Sequence, residues 1–323
     1  MIVKGEQMSE KETSCPFRTS IGGQALIEGI MMRGPRKQAI SVRRPDGEIE
    51  TKVTELHAVK EKYPILGVPI IRGVAAFLTS MVNGVRAISY SASFLPEDEQ
   101  EEPSKLDLWI EKKFGGEKAE KLITGIAVFM GIALAVVLFF MLPTILTGLV
   151  GRAVESRALL NIIEGVVRIV IFLAYLILVS KVGDIKRIWQ YHGAEHKTIF
   201  CYENRLPLTP ENARKQSRFH PRCGTSFLFL VMIVSILVFS VVSWSNVFVR
   251  LALRIVLLPV VVGISYELIK LAGRYDNIAT RIISAPGKAL QRVTTAEPDD
   301  SMLEVAIEAL KAVIPDEEGA DIW

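Results

Sequence analysis

The stretch "YHGAEHKTIFCYE", residues 191 to 203, holds two of the chain's four histidines. His192 and His196 stand four positions apart, with Glu195 just before the second, an H-x-x-E-H pattern. On a helix, positions i, i+3 and i+4 share one face, so both imidazoles and the carboxylate would project together. Two imidazoles one turn apart can grip a divalent ion, with Zn2+ the first expectation. The glutamate can take a proton from a water at the open position, which is the inverted zinc-peptidase arrangement. By itself the motif is weak, because surface helices with two histidines are common.

A second pair strengthens it. "FHPRCGTS" places His220 and Cys223 three positions apart, just before an apolar run. His192 comes a few turns after another apolar run ends. A helical hairpin would bring these ends to one depth, so His192, His196, His220 and Cys223 form the expected metal set. If all four bind, the sphere is closed and the site is structural. If three bind, a position stays open and Glu195 is the catalytic general base. Soluble inverted zinc-peptidases draw their third ligand from a downstream glutamate, and Glu267 stands at such a distance. It is equally placed to pair with Lys270 or Arg274.

Other candidates have blander readings. His57 reads as a surface residue and Cys201 as a small packed side chain. Glu164 and Arg168 lie one turn apart within an apolar run, where a mutual salt bridge facing the bundle is expected over a transport pathway. Arg250 and Arg254 would pair with acids or snorkel.

These residues need a frame, and composition suggests one. Half of the 323 residues are hydrophobic and mean hydropathy is +0.33, yet 23% are charged, so the apolar content must be concentrated. Four runs qualify as membrane-spanning helices in two hairpins: Leu122 to Leu142, Leu159 to Ser180, Ser226 to Trp244 and Val247 to Lys270. Lys and Arg crowd the loop 181–225 and the tail after Lys270, but are sparse in the other two linkers. Both termini and the central loop are therefore expected in the cytoplasm. The basic residues are scattered beside membrane ends, which points to the lipid bilayer rather than to nucleic acid. The three cysteines, Cys15, Cys201 and Cys223, would share that reducing side, so a disulfide framework is not expected.

The expected class is a mostly α polytopic membrane protein with a small cytoplasmic β-containing unit. Residues 1–62 form that N-terminal unit, with a hairpin at Pro45-Asp46-Gly47. Residues 63–95 read as an interfacial or re-entrant helix, interrupted by Arg72, Arg86 and several glycines. Residues 96–118 form an acidic linker, and 119–270 the four-helix membrane domain with its loop 181–225. In 271–323, an amphipathic helix capped at Asp300 or Ser301 shows Leu303, Ala306, Ile307, Leu310 and Val313 on one face. Thr209 caps a shorter helix with Pro210 in its first turn.

Four stretches together, "IGGQALIEGIMMRGP", "YHGAEHKTI", "HPRCGTSFLFL" and "YELIKLAGR", resemble the YqhQ-like bacterial membrane proteins, over roughly Phe17 to Val313. That family is labelled a predicted metal-dependent enzyme with function unassigned. The resemblance implies a bacterial plasma-membrane protein and leaves the substrate open. It also implies that Gln24, Glu28 and Arg33 form a second wall of the site. The first expectation is a membrane-embedded metal-dependent hydrolase acting on a peptide or lipid-linked substrate. The alternative is a non-enzymatic scaffold or assembly factor with a structural metal and a membrane protein partner. A transporter is the third choice.

Overall fold

The computed structural model describes residues 17–56, 64–96, 104–150, 154, 156–240, 247–275 and 277–322. Cys15, His57 and residues 97–103 of the acidic linker lie outside them. The described chain is mostly helical and carries one small antiparallel sheet. Its strands are β1 (Gly22–Leu26), β2 (Gly29–Arg33), β3 (Lys37–Arg43) and β4 (Ile49–Glu55), in the order β1-β2-β3-β4. Gly47, at φ 89°, closes the expected β3–β4 hairpin. The glycine-rich segment also belongs to the sheet. It is a second hairpin, turning at Ile27-Glu28 so that Leu26 pairs with Gly29.

The sheet is covered on both faces, so β2 is buried along nearly its whole length. Helix α1 (Ile71–Ala92) and the turn after it bring Ala87, Tyr90 and Phe94 against Leu26, Met31, Ile40 and Val42. On the opposite face Ile30, Met32 and Ala39 meet two later helices, α6 (Gly183–Glu203) and α11 (Asp300–Lys311). Leu303, Ala306, Ile307 and Leu310 of α11 are all buried there. Its cap falls one residue earlier than expected: Asp299 accepts the Met302 N–H at 3.0 Å. Glu304 does not complete a capping box. It accepts from Arg43 of β3 at 2.7 Å, which ties helix to sheet.

Part of the expected linker is ordered as α2 (Lys105–Phe114), closed by a capping box between Ser104 and Asp107. Then α3 (Gly116–Val136) runs through a π turn (Val137–Met141) into α4 (Leu142–Val150). Further on lie α5 (Arg157–Val179), α7 (Pro210–Arg214), α8 (Gly224–Ser240), α9 (Val247–Arg274) and α10 (Ile278–Thr294). Thr209 caps α7 as expected.

Among the described residues, three helices are long and apolar enough to cross a membrane: Lys121–Leu149, Leu159–Val179 and Ala252–Arg274. Such lengths suggest a membrane protein. The fourth expected span is an apolar helix of 17 residues, α8, and the rest of that run lies outside the described residues.

Glu164 joins these helices. It takes Arg168 of its own helix at 3.2 Å, Thr144 of α4 at 2.9 Å and, through both oxygens, Arg254 of α9. The expected pair is therefore a larger cluster, in which Arg168 also donates to the Phe139 carbonyl at 2.7 Å. Removing the one acid would strand two guanidiniums among apolar side chains. Glu164→Ala should destabilise the bundle by about 3–5 kcal/mol, the usual penalty for breaking a buried pair. The check is its unfolding midpoint in detergent, and a midpoint equal to the wild type's would contradict this role.

Candidate metal centre

Helix α6 carries the H-x-x-E-H motif, and it is no surface helix. Residues Tyr191 to Ile199 are all buried. The sheet packs on one side, while the backbone at Ala296, just beyond α10, crosses so close that a Cβ on Gly193 would sit 2.1 Å from the Ala296 carbonyl. The glycine between the two histidines is therefore what lets that segment approach.

That approach sets the chemistry of His192. Its Nδ1–H donates to the Thr294 carbonyl, 2.8 Å away at the end of α10. A carbonyl can only accept, so the lone pair is left on Nε2. Nε2 faces Cys223 Sγ at 3.0 Å. His196 repeats the device, its Nδ1–H donating to the Arg218 carbonyl at 2.6 Å. Its Nε2 is fully buried and has no hydrogen-bond partner among the described residues. Donor atoms of His192, His196 and Cys223 all lie within 4.8 Å of one another.

His220 lies apart from this trio. Its ring is 5.5 Å, centroid to centroid, from that of His196, but its Nε2 faces Glu203, which Arg222 also grips. Gln291 of α10 clamps its backbone, accepting its N–H and donating to its carbonyl, each at 2.7 Å. Burial pushes its ring down to about 4 against the opposing bond to Glu203, so the ring is neutral at neutral pH. Glu267 is remote from the trio's chemistry: both its oxygens are taken by Arg72 of α1, rather than by a metal partner or by Lys270 or Arg274 alone.

Glu195 accepts the Gly23 N–H of β1 at 3.0 Å. Burial raises its carboxyl above the usual range, against the opposing effects of His192 and that N–H. Glu195, His196 and Cys223 line a cavity of about 440 Å³. Gln24 and Arg33 stand on its wall. Glu28 does not line it. Its left-handed backbone, φ 50°, turns the hairpin, and its carboxylate holds Arg187 and the Tyr191 hydroxyl. Cys201 is a packed side chain, as expected.

Sequence reasoning missed the groups that aim the imidazoles. Thr294 and Arg218 act through backbone carbonyls, which leave no residue-type signal. Gln291 and Glu203, the groups that hold His220, lie outside any recognisable spacing. Gly193→Ala should overpack the Ala296 crossing and destabilise the fold by about 1–3 kcal/mol. Thermal unfolding reads the effect, and a variant as stable as the wild type would show that the crossing is looser than described.

No solved structure matches the chain. Over 303 residues it is 33% identical to a Bacillus subtilis (strain 168) protein described as "Uncharacterized protein YqhQ", covering 91% of this chain and 92% of that one. A family model matches residues 68–316, which include the α6 motif, Cys223 and α10 but not the sheet. On both counts the chain belongs to the family described as "Protein of unknown function (DUF1385)".

Proposed function

We propose that this chain is a membrane-embedded, metal-dependent hydrolase, in which His192, His196 and Cys223 hold Zn2+ and Glu195 accepts a proton. One observation carries the reading. The Nε2 of His196 is buried and has no hydrogen-bond partner among the described residues, while its ring is fixed by the Arg218 carbonyl. A buried acceptor left unsatisfied costs about 1–3 kcal/mol, and a cation among three convergent donors removes that penalty. Metal-binding histidines commonly donate the other ring N–H to a carbonyl in this way.

A two-histidine, one-cysteine set leaves a coordination position open, where the ion would polarise a substrate carbonyl or phosphoryl group and activate water. The protein's own residues supply the rest. The Gly23 N–H anchors one oxygen of Glu195, and the other has no hydrogen-bond partner among the described residues. Glu195 thus borders the cavity as a positioned acceptor for the proton of an attacking water.

The three long apolar helices and the crowding of Lys and Arg in residues 181–225 support a plasma-membrane location with both termini cytoplasmic. The cavity would then open near the inner headgroups, within reach of peptide or lipid-linked substrates. The scaffold reading, with a closed structural site and a membrane protein partner, needs His220 as fourth ligand. That residue lines the same cavity, but its ring is engaged by Glu203 and Arg222 and it is not among the donors that lie within 4.8 Å of one another. A transport pathway has weaker support, since Glu164 is saturated by Arg168, Arg254 and Thr144.

Elemental analysis of chelator-free protein should find about one zinc per chain, the stoichiometry of a single such site. His196→Ala should lose it. Glu195→Gln should keep the metal and lower hydrolysis across a panel of chromogenic ester, peptide and phosphoester substrates by about 100-fold or more. Metal-free wild type would end the proposal, and an undiminished Glu195→Gln would remove the glutamate from it.

A further inference from the structure

The cavity that Glu195, His196 and Cys223 line has further polar residues. Arg33 at the end of β2, Gln24 on β1 and Asn83 on α1 all line it. Other arginines near the site are committed: Arg222 to Glu203, Arg187 to Glu28 and Arg218 to Glu297 and the Thr295 carbonyl. Apart from the backbone pairing of β2, the Arg33 guanidinium has neither a carboxylate nor a hydrogen-bond partner among the described residues, and neither do the side-chain amides of Gln24 and Asn83. Three donor side chains therefore converge on one cavity with their hydrogen-bonding capacity unspent. A guanidinium presents its donors as a planar fork that matches the oxygens of a phosphate or carboxylate.

The backbone is shaped to bring these donors in. A Cβ on Gly84 of α1 would lie 2.7 Å from Gln24 Oε1, so the amide lies directly on the helix. On β1, a Cβ at Gly23 would meet the Met31 carbonyl at 2.7 Å and the Glu195 carboxyl carbon at 3.0 Å. The wall and the metal centre are thus joined through one close-packed strand.

We infer that Arg33, with Gln24 and Asn83, is an oxyanion-binding subsite that holds a phosphate-type group of the substrate in the cavity that His196 and Cys223 also line. This deepens the hydrolase reading and rests on it for the word substrate. Anion binding at Arg33 can nonetheless be measured without any turnover. The substrate class that follows is a phosphate-bearing molecule. The group can come from a lipid headgroup or from a soluble phosphoester.

The test uses the full-length protein in dodecyl maltoside micelles, with inorganic phosphate titrated calorimetrically and metal content measured on the same preparations. Arg33→Met should weaken phosphate by about tenfold or more, the scale of one lost charge-assisted contact. Arg33→Lys should recover part of it. Asn83→Ala, on a partly exposed helix position, should weaken binding with Arg33 intact, and it serves if Arg33→Met fails to fold. Adding dioleoylphosphatidylglycerol separates the sources: competition with phosphate assigns the subsite to lipid headgroups, and indifference assigns it to soluble phosphoesters. Phosphate binding that is absent, or equal in wild type, Arg33→Met and Asn83→Ala, overturns the subsite. Metal-free protein that still binds phosphate through Arg33 overturns only the hydrolase reading.

Discussion

Two backbone carbonyls decide what this site can do. Thr294 and Arg218 each accept an Nδ1–H, and each thereby turns an imidazole so that its Nε2 lone pair faces inward. Without them the H-x-x-E-H motif is two histidines on a packed helix, free to adopt either tautomer. With them, two nitrogens and the Cys223 sulfur address a common point. The carbonyls come from two different segments, the end of α10 and the loop after α7. The centre therefore exists only when the C-terminal helices have docked. Gly193 permits that docking by leaving room for the Ala296 carbonyl.

The same dependence explains the small sheet. Its strands are covered by α1 on one face and by α6 and α11 on the other. Through Gly23 it also fixes Glu195, and through Arg33 and Gln24 it walls the cavity. Glycines recur where backbones must approach: Gly23 against β2, Gly84 against Gln24, Gly287 of α10 against Ser226 of α8. In the apolar part, Glu164 plays the corresponding role for α4, α5 and α9.

Much of this was legible beforehand, for identifiable reasons. The β3–β4 hairpin announces itself through Pro45-Asp46-Gly47, and α11 through its spaced apolar face. The β1–β2 hairpin does not, because β2 is buried on both faces and "GIMMR" lacks a period-two alternation. Helix α10 hides behind Pro286 and Gly287 in its interior, where the glycine serves the contact with Ser226. At the site, residue type and spacing suffice to pick out His192, His196 and Cys223. They cannot separate these from His220, because what engages His220 is a carboxylate at the far end of α6 itself and an amide from α10, neither marked by spacing. Glu267 is a similar case: its partner Arg72 lies 195 positions away.

The central claim is that three donors, and not four, converge on one open coordination site. X-ray absorption at the metal edge of the purified wild-type protein tests it most directly. The account predicts one sulfur neighbour at about 2.3 Å and imidazole scattering from two rings at about 2.0 Å. A spectrum with no sulfur neighbour, or one that requires a third imidazole, would contradict it.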